Sequence, residues 1–403
     1  MHLHILPLLL SVAPVALGHP AGCKAAARSG KAIYVVTNNE ENAIISLPIA
    51  TDGMLSKGRY TKTGGAGSNA IDDATKQPAG PDALLSQSAL TVVGNNLFAV
   101  NAASNTVTMF SIDRNDPTKL TMIGKPEDVL GEFPNTVAAS AKNKMVCVGS
   151  SGAKAGVSCS SFSHKGMKGM DNLRPFDLKQ TTPPVGPFNT VSHVFFSNDE
   201  ESLYVTVKGT PPQNQTGFMA VFPVETCGEG ADSAGVASLS QQAVKSSPKG
   251  TAVLFGSSTI PGSQDIFVTD ASFGGAVLSL DSETDIATVK AKAAISGQKA
   301  TCWVTISSAT KSAFVTDVAA NRLVEMSLTD ASIQGTIDLT ANSDPGLVDL
   351  SAAGNFIYAL SPGNGTSDAA VTVVDAVRKV QVQHFDLKEL GGSKNSQGMA
   401  VKL

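Results

Sequence analysis

Short apolar runs recur along the chain, each followed by a turn and a second apolar run. They read Ala32-Ile-Tyr-Val-Val36, Leu97-Phe-Ala-Val100, Met145-Val-Cys-Val148 and Leu203-Tyr-Val-Thr-Val207. Three more follow: Ile266-Phe-Val-Thr269, Ala313-Phe-Val-Thr316 and Phe356-Ile-Tyr-Ala359. β-Branched and aromatic residues dominate these runs, and Gly, Asn, Asp and Ser punctuate them, so they predict strands joined by tight turns. A self-similar period of roughly 40–60 residues predicts stacked supersecondary units rather than unrelated domains.

Each unit divides into four strands. The fifth predicts strands over 252–256, 265–269, 276–280 and 286–290. The sixth predicts 302–306, 312–316, 323–328 and 333–339, and the seventh 347–350, 355–359, 370–375 and 380–385. Four antiparallel strands per repeat make a propeller blade. The chain ends complement each other. The first strand, 33–37, has the character of a second strand with no inner strand before it. The segment 397–402 reads as an inner strand with no successor. Pairing them would complete one blade and remove two open sheet edges. The expected fold is therefore an all-β, seven-bladed β-propeller over 19–403. The stretches around 60–85 and 160–185 resist assignment, so six or eight blades stay open.

Residues 1–18 read as a signal peptide, with an apolar run from Ile5 to Leu10 and small residues at Ala16 and Gly18. Cleavage before His19 would leave a secreted chain, in the medium or at the cell wall or surface. A terminal His19 could offer copper its amine and imidazole, but no further ligand is nominated. No later run is long and apolar enough to span a membrane. A net charge of −4 gives no electrostatic ground for a nucleic-acid partner. Secretion makes the cysteines readable. Cys147 and Cys159 lie on consecutive strands and suit a cross-strand disulfide if the register brings their Cβ atoms to about 3.8 Å. Cys302 sits in an apolar strand and is expected to be a buried thiol. Cys23 and Cys227 either pair or leave one free. Asn214-Gln-Thr216 and Asn364-Gly-Thr366 are glycosylation sequons in turn-rich segments.

No nucleophile elbow, P-loop or dinucleotide fingerprint is present, no cofactor is expected, and no cysteine or histidine spacing suits a metal. The Gly-rich loop 61–82 and the loop 225–235 are equally candidates for binding and for solvated linkers. His193 is the candidate catalytic residue: it lies on a predicted inner strand, where alternate residues face a water-filled channel. A hydrogen-bonded packing role is its alternative. Asn38, Asn101, Lys208, Asp270 and Asp317 follow the second strands of five blades at equivalent positions. They form a candidate ligand-binding ring at the channel mouth, or else cap the adjoining turns through side-chain-to-backbone bonds.

The stretch Leu97–Ile112 resembles a lactonase-type seven-bladed propeller unit. Gly156-Val-Ser-Cys159, Arg174-Pro-Phe176 and Gln180–His193 are similar to the fungal secreted proteins labelled 3-carboxymuconate cyclase-like. The resemblance implies a seven-bladed propeller, a lactone-forming or lactone-opening ancestry and, for several secreted members, a role as surface glycoprotein, adhesin or antigen. Lactone-processing relatives often carry Gly-Pro-Arg-His at the start of a blade and an acid after the following strand. Here the matching positions read Gly186-Pro-Phe-Asn189 and Lys208. The expectation is a binding glycoprotein whose partner is an extracellular-matrix or host-surface protein. The alternative is a lactonase or carboxymuconate-lactonising enzyme acting on a small lactone or carboxylate. A third reading is a protein that binds a small hydrophobic lactone.

Overall fold

The computed structural model describes residues 30–227 and 236–403. The signal segment 1–18, His19 and Cys23 lie outside the described residues, as does most of the loop 225–235. Seven antiparallel sheets stand around a common axis, and the count of seven is settled by the sheet topology. The second sheet is typical. Leu90–Val93 lies innermost, followed by Asn96–Asn101, Thr106–Ile112 and Leu120–Met122.

The first sheet is built from both chain ends. Ala32–Val36 pairs with Ala43–Pro48 on one side and with Met399–Lys402 on the other, with Tyr34 opposite Ala400 and Ile33 opposite Val401. The lysine backbone N–H of Lys31 extends this ladder to the Lys402 carbonyl (2.7 Å), and Gln397 N–H donates to the Val36 carbonyl (3.1 Å). The inner strands Met399–Lys402 and Leu350–Ala353 lie side by side, as do Met399–Lys402 and Leu90–Val93, so the ring is continuous.

The apolar runs are continuous rather than alternating because second strands are buried on both faces. Ile33 and Val35 pack towards the seventh sheet, against Leu350 and Ile357, while Ala32, Tyr34 and Val36 pack towards Leu97 and Phe110 of the second. Face-to-face packing of sheets about 10 Å apart requires this two-sided burial. Outer strands alternate instead. Ala287–Ala294 exposes every second residue, as a one-sided edge strand should. Tyrosines tie adjacent sheets together: Tyr358 donates to the Gly53 carbonyl (2.9 Å) and Tyr34 to that of Pro117 (2.6 Å).

The fifth and seventh inner strands begin later than the pattern predicts, the seventh at Leu350 rather than 347. The fifth starts at Leu254 rather than 252, because the Asp270 carboxylate takes the Ala252 and Val253 N–H groups before the ladder begins. A register shift between Leu254 and Ser257 follows. Asp317 likewise takes the Lys299 and Ala300 N–H groups of the sixth sheet, whose inner strand starts at Thr301, one residue before the expected 302. The hard-to-assign stretch 160–185 becomes a broken outer edge, Gly166–Met167 and Arg174–Pro175. Arg174 is buried; it pairs with Asp171 and donates to the Leu239 and Ser240 carbonyls of the fourth sheet. Cys147 stands opposite Cys159 and the two form a disulfide, with Cα atoms 4.1 Å apart. Cys302 is a buried free thiol.

Deleting 397–403 should therefore destabilise more than a seven-residue tail would suggest. It opens two inner sheet edges, and each buried backbone group left unpaired costs about 1–3 kcal/mol. Thermal denaturation should show a broadened transition well below that of the full chain. An unchanged transition would mean that the ring is not held by this pairing.

Candidate functional site

The channel does not begin as an open tunnel. Segment 82–88 threads into its mouth, where the inner strands start, and is bonded to them on several sides. Gln87 exchanges two hydrogen bonds with the Val304 backbone (3.1 Å each), and its own N–H reaches the Ser192 carbonyl (2.8 Å). Trp303 Nε1 and Gln397 Nε2 both donate to the Ser86 carbonyl. Asn135 Nδ2 donates to the Leu84 and Val191 carbonyls. Leu85 and Ser88 take the left-handed backbone region, at φ 57° and 66°, which non-glycine residues occupy at a cost. The surrounding bonds hold them there.

Above the plug lies a cavity of about 360 Å³. One wall is the plug itself, through Asp82 and Leu85. The opposite walls come from the mouths of the fourth to sixth sheets, with Lys208, Val253, Phe255, Ala300, Cys302 and Val318. Two loops roof it, clasped together by a parallel pairing of Ile71–Asp72 with Val185–Gly186. The roof residues Gly186, Pro187 and Phe188 belong to the stretch matched to the lactone-processing motif. Gly186 lets the roof close on the plug: a Cβ there would sit 2.2 Å from a Leu85 methyl and would displace that side chain.

Lys208 is the chemical centre of the cavity. Its side chain is almost wholly buried, donates to the Leu85 carbonyl (2.7 Å) and stands 4.6 Å over the Phe255 ring. Burial pulls the ammonium down to about 8, opposed by the charge of Asp82. Asp82 is half-buried and accepts from Leu85 N–H (2.9 Å) and Gln397 Nε2 (2.8 Å). Desolvation pushes its carboxyl up, and the Lys208 charge acts against that rise. Burial raises the Cys302 thiol well above its ordinary value, so it packs as a neutral group.

The other predicted positions are differently employed. Asp270 and Asp317 spend their carboxylates on backbone N–H groups at the sheet mouths, including Ser272 and Ala319 in the following turns. Asn101 accepts from Asn42 and Thr63 and donates to Thr106 and Thr108. Asn38 bonds to the backbone of Ser68. Lys208 alone of the five lines the cavity. His193 faces a different recess, lower in the channel, with Ser88, Thr91 and Glu200. Its Nε2 is 3.0 Å from Ser88 Oγ, its ring stacks on Phe195, and burial pulls it down to about 3, leaving a neutral imidazole. No group of three or more metal-ligating side chains occurs among the described residues. The sequence does not single out Phe255. It marks Phe188 only as part of the Gly186–Asn189 departure from the lactone-processing motif, and Asp82 only as the end of the candidate loop 61–82. The three meet only when that loop continues into the channel mouth.

These features define a seven-bladed propeller with a plugged mouth and a lysine-bearing cavity above the plug. Solved structures share the fold at low identity. The periplasmic gluconolactonase of Pseudomonas aeruginosa has a TM-score of 0.64 at 13% identity, covering 92% of this chain and 99% of that one. A protein of unknown function from Desulfotomaculum acetoxidans scores 0.60 at 11% identity, covering 93% and 99%. A proposed 6-phosphogluconolactonase from Bacteroides fragilis scores 0.53 at 12% identity, covering 95% and 99%. No family model matches the sequence, and no curated protein matches it.

Asp349 links plug and closing strand: its carboxylate accepts from Met399 N–H (3.0 Å), Leu350 N–H (2.8 Å) and Ser88 N–H (3.4 Å). Burial raises it to about 7. An unfolded aspartate titrates near 4, so folding here favours the protonated form. Its stabilising contribution is full below about pH 4 and is lost as pH rises towards 7, at up to about 1.4 kcal/mol per pH unit. His193, held near 3 by burial, contributes the opposite slope below about pH 6.5, so the Asp349 contribution is read as a difference. The urea midpoint of the wild type relative to that of Asp349→Asn should fall as pH rises across that window. A wild-type profile indistinguishable from that of Asp349→Asn would refute the assignment.

Proposed function

We propose that this chain is a lactonase-type propeller that opens a small cyclic ester in the Lys208 cavity. The observation that carries the reading is a buried ammonium, with one protein hydrogen bond, lining an otherwise largely apolar hollow beside a carboxyl of raised basicity. In this reading Lys208 donates to the ester carbonyl and stabilises the negative charge that develops on its oxygen. Asp82 takes a proton from water as that water attacks the carbonyl carbon. Collapse breaks the ring C–O bond, and the departing alkoxide recovers the proton from Asp82. One lactone and one water give one hydroxy acid.

Propeller structures named as gluconolactonase and 6-phosphogluconolactonase support the reaction class. The cavity favours a small molecule over an extracellular-matrix or host-surface protein as partner, because a folded surface cannot reach a buried ammonium. The resemblance to 3-carboxymuconate cyclase-like proteins would add lactonisation, the reverse bond change. That substrate carries three carboxylates, and Phe188 stands on the roof stretch where relatives place cationic groups. A location outside the cytoplasm is supported by the Cys147–Cys159 disulfide and by the exposure of both sequon asparagines, Asn214 and Asn364.

Lys208→Met should lower kcat/KM for lactone hydrolysis by about 100-fold or more, the usual effect of losing one oxyanion donor. Wild-type activity should also fall as pH rises through about 8, where Lys208 gives up its proton. Acid release from a lactone panel measures both. Undiminished turnover in Lys208→Met, in protein with wild-type melting behaviour, would overturn the reading.

A further inference from the structure

We infer that this cavity selects lactones with apolar substituents and discriminates against polyhydroxylated or phosphorylated sugar lactones. The inference deepens the ring-opening reading above and rests on it. Its ground is the inventory of polar partners around the cavity. The walls that would meet the substituents of a bound ring are Leu85, Phe188, Val253, Phe255, Ala300 and Val318. None of these side chains can pair with a hydroxyl.

The polar groups nearby are largely committed. Ser272 Oγ already donates to Asp270 Oδ1 (2.5 Å), and Ser272 N–H donates to the same oxygen. Asp72 is tied to the N–H and hydroxyl of Thr75, each at 2.7 Å. Those bonds hold its carboxyl below the ordinary range, so it stands at the wall as a fixed negative charge. Lys208 and Asp82 remain, and both are needed at the ester carbonyl and the attacking water. Lys299 is the one other cation on the lining, and it is exposed to solvent.

A sugar lactone brings several hydroxyls, and each one left unpaired on entering an apolar wall is penalised. A phosphate or carboxylate substituent additionally meets Asp72 and Asp82, with Lys208 engaged at the ester carbonyl and only the exposed Lys299 left to pair with it. An alkyl or aryl substituent meets none of these costs and gains from leaving water. The sugar-lactone chemistry in the names of the similar propellers thus does not carry over to this lining.

The test compares γ-decalactone and a phenyl-substituted γ-lactone with glucono-δ-lactone and its 6-phosphate. Ring opening is followed by acid release. Binding is followed separately by the fluorescence of Trp303, the single tryptophan, whose ring packs edge-on against Phe255 at 4.9 Å. The expected result is a kcat/KM at least about 100-fold higher for the apolar lactones, since a single mismatched hydroxyl can be worth that much. In Phe188→Arg, which places a cation on the apolar roof, the preference should narrow at least about tenfold. Preferred turnover of the sugar lactones overturns the inference while leaving ring opening intact. Apolar lactones that quench Trp303 without being opened sustain the selectivity and overturn the hydrolysis. Failure of every lactone to bind overturns both, and an unchanged preference in Phe188→Arg overturns the assignment to this cavity.

Discussion

The antiparallel pairing of Met399–Lys402 with Ala32–Val36 is the contact on which the rest of this molecule depends. Six of the sheets are contiguous in sequence and could form by local hairpin pairing. The first cannot form without the last strand, and a ring lacking it would leave inner edges unpaired in a buried setting. The closing strand also brings Gln397 to the axis. Its N–H completes the ladder at Val36, while its side chain bonds to Leu84, Ser86 and Asp82 of the plug. Ring closure and site formation are thus one event. The same residue that seals the sheet positions the cavity's carboxylate.

The cavity shows how this scaffold uses desolvation. An ammonium moved from water into an apolar wall is strongly disfavoured unless it is bonded or paired. Lys208 has one carbonyl, one aromatic face and the field of Asp82, and burial still prevails enough to bring it down to about 8. It therefore stays mostly protonated near neutrality while offering a hydrogen bond that solvent does not weaken. His193 lies in the same channel but bonds only to a serine hydroxyl and stacks on an aromatic ring. Glu200 lines the same recess, but its carboxylate accepts from Ser140 and Lys142 instead. Burial alone decides its state, and it remains neutral.

Much of the architecture was legible because its cause is periodic. Second strands are buried on both faces and so read as unbroken apolar runs, and the missing inner strand at one end matched the surplus strand at the other. The Cys147–Cys159 pair was legible because both cysteines sit on adjacent strands of one hairpin. The start of the fifth inner strand was misplaced by two residues where Asp270 intercepts backbone N–H groups, an effect that apolar patterning does not register. The site was much less legible. Lys208 was singled out through its place in the repeat, but its equivalents have the same sequence claim: Asn38, Asp270 and Asp317 serve the loop backbone, and Asn101 bonds to neighbouring side chains.

The sequence by itself determined the strand repeat, the way the ends complete each other and the cross-strand cysteine pair. Each follows from interactions between neighbours in the chain or from a pattern repeated along it. Tertiary structure alone decided that segment 82–88 fills the channel mouth, that Lys208 faces Asp82 and Phe255, and that His193 lies in a separate recess. Those outcomes depend on burial and on contacts between residues more than a hundred positions apart in several cases, such as Lys208 with Leu85. Local composition carries no trace of such contacts, because the free energy that fixes them arises only when the ring excludes water from its centre.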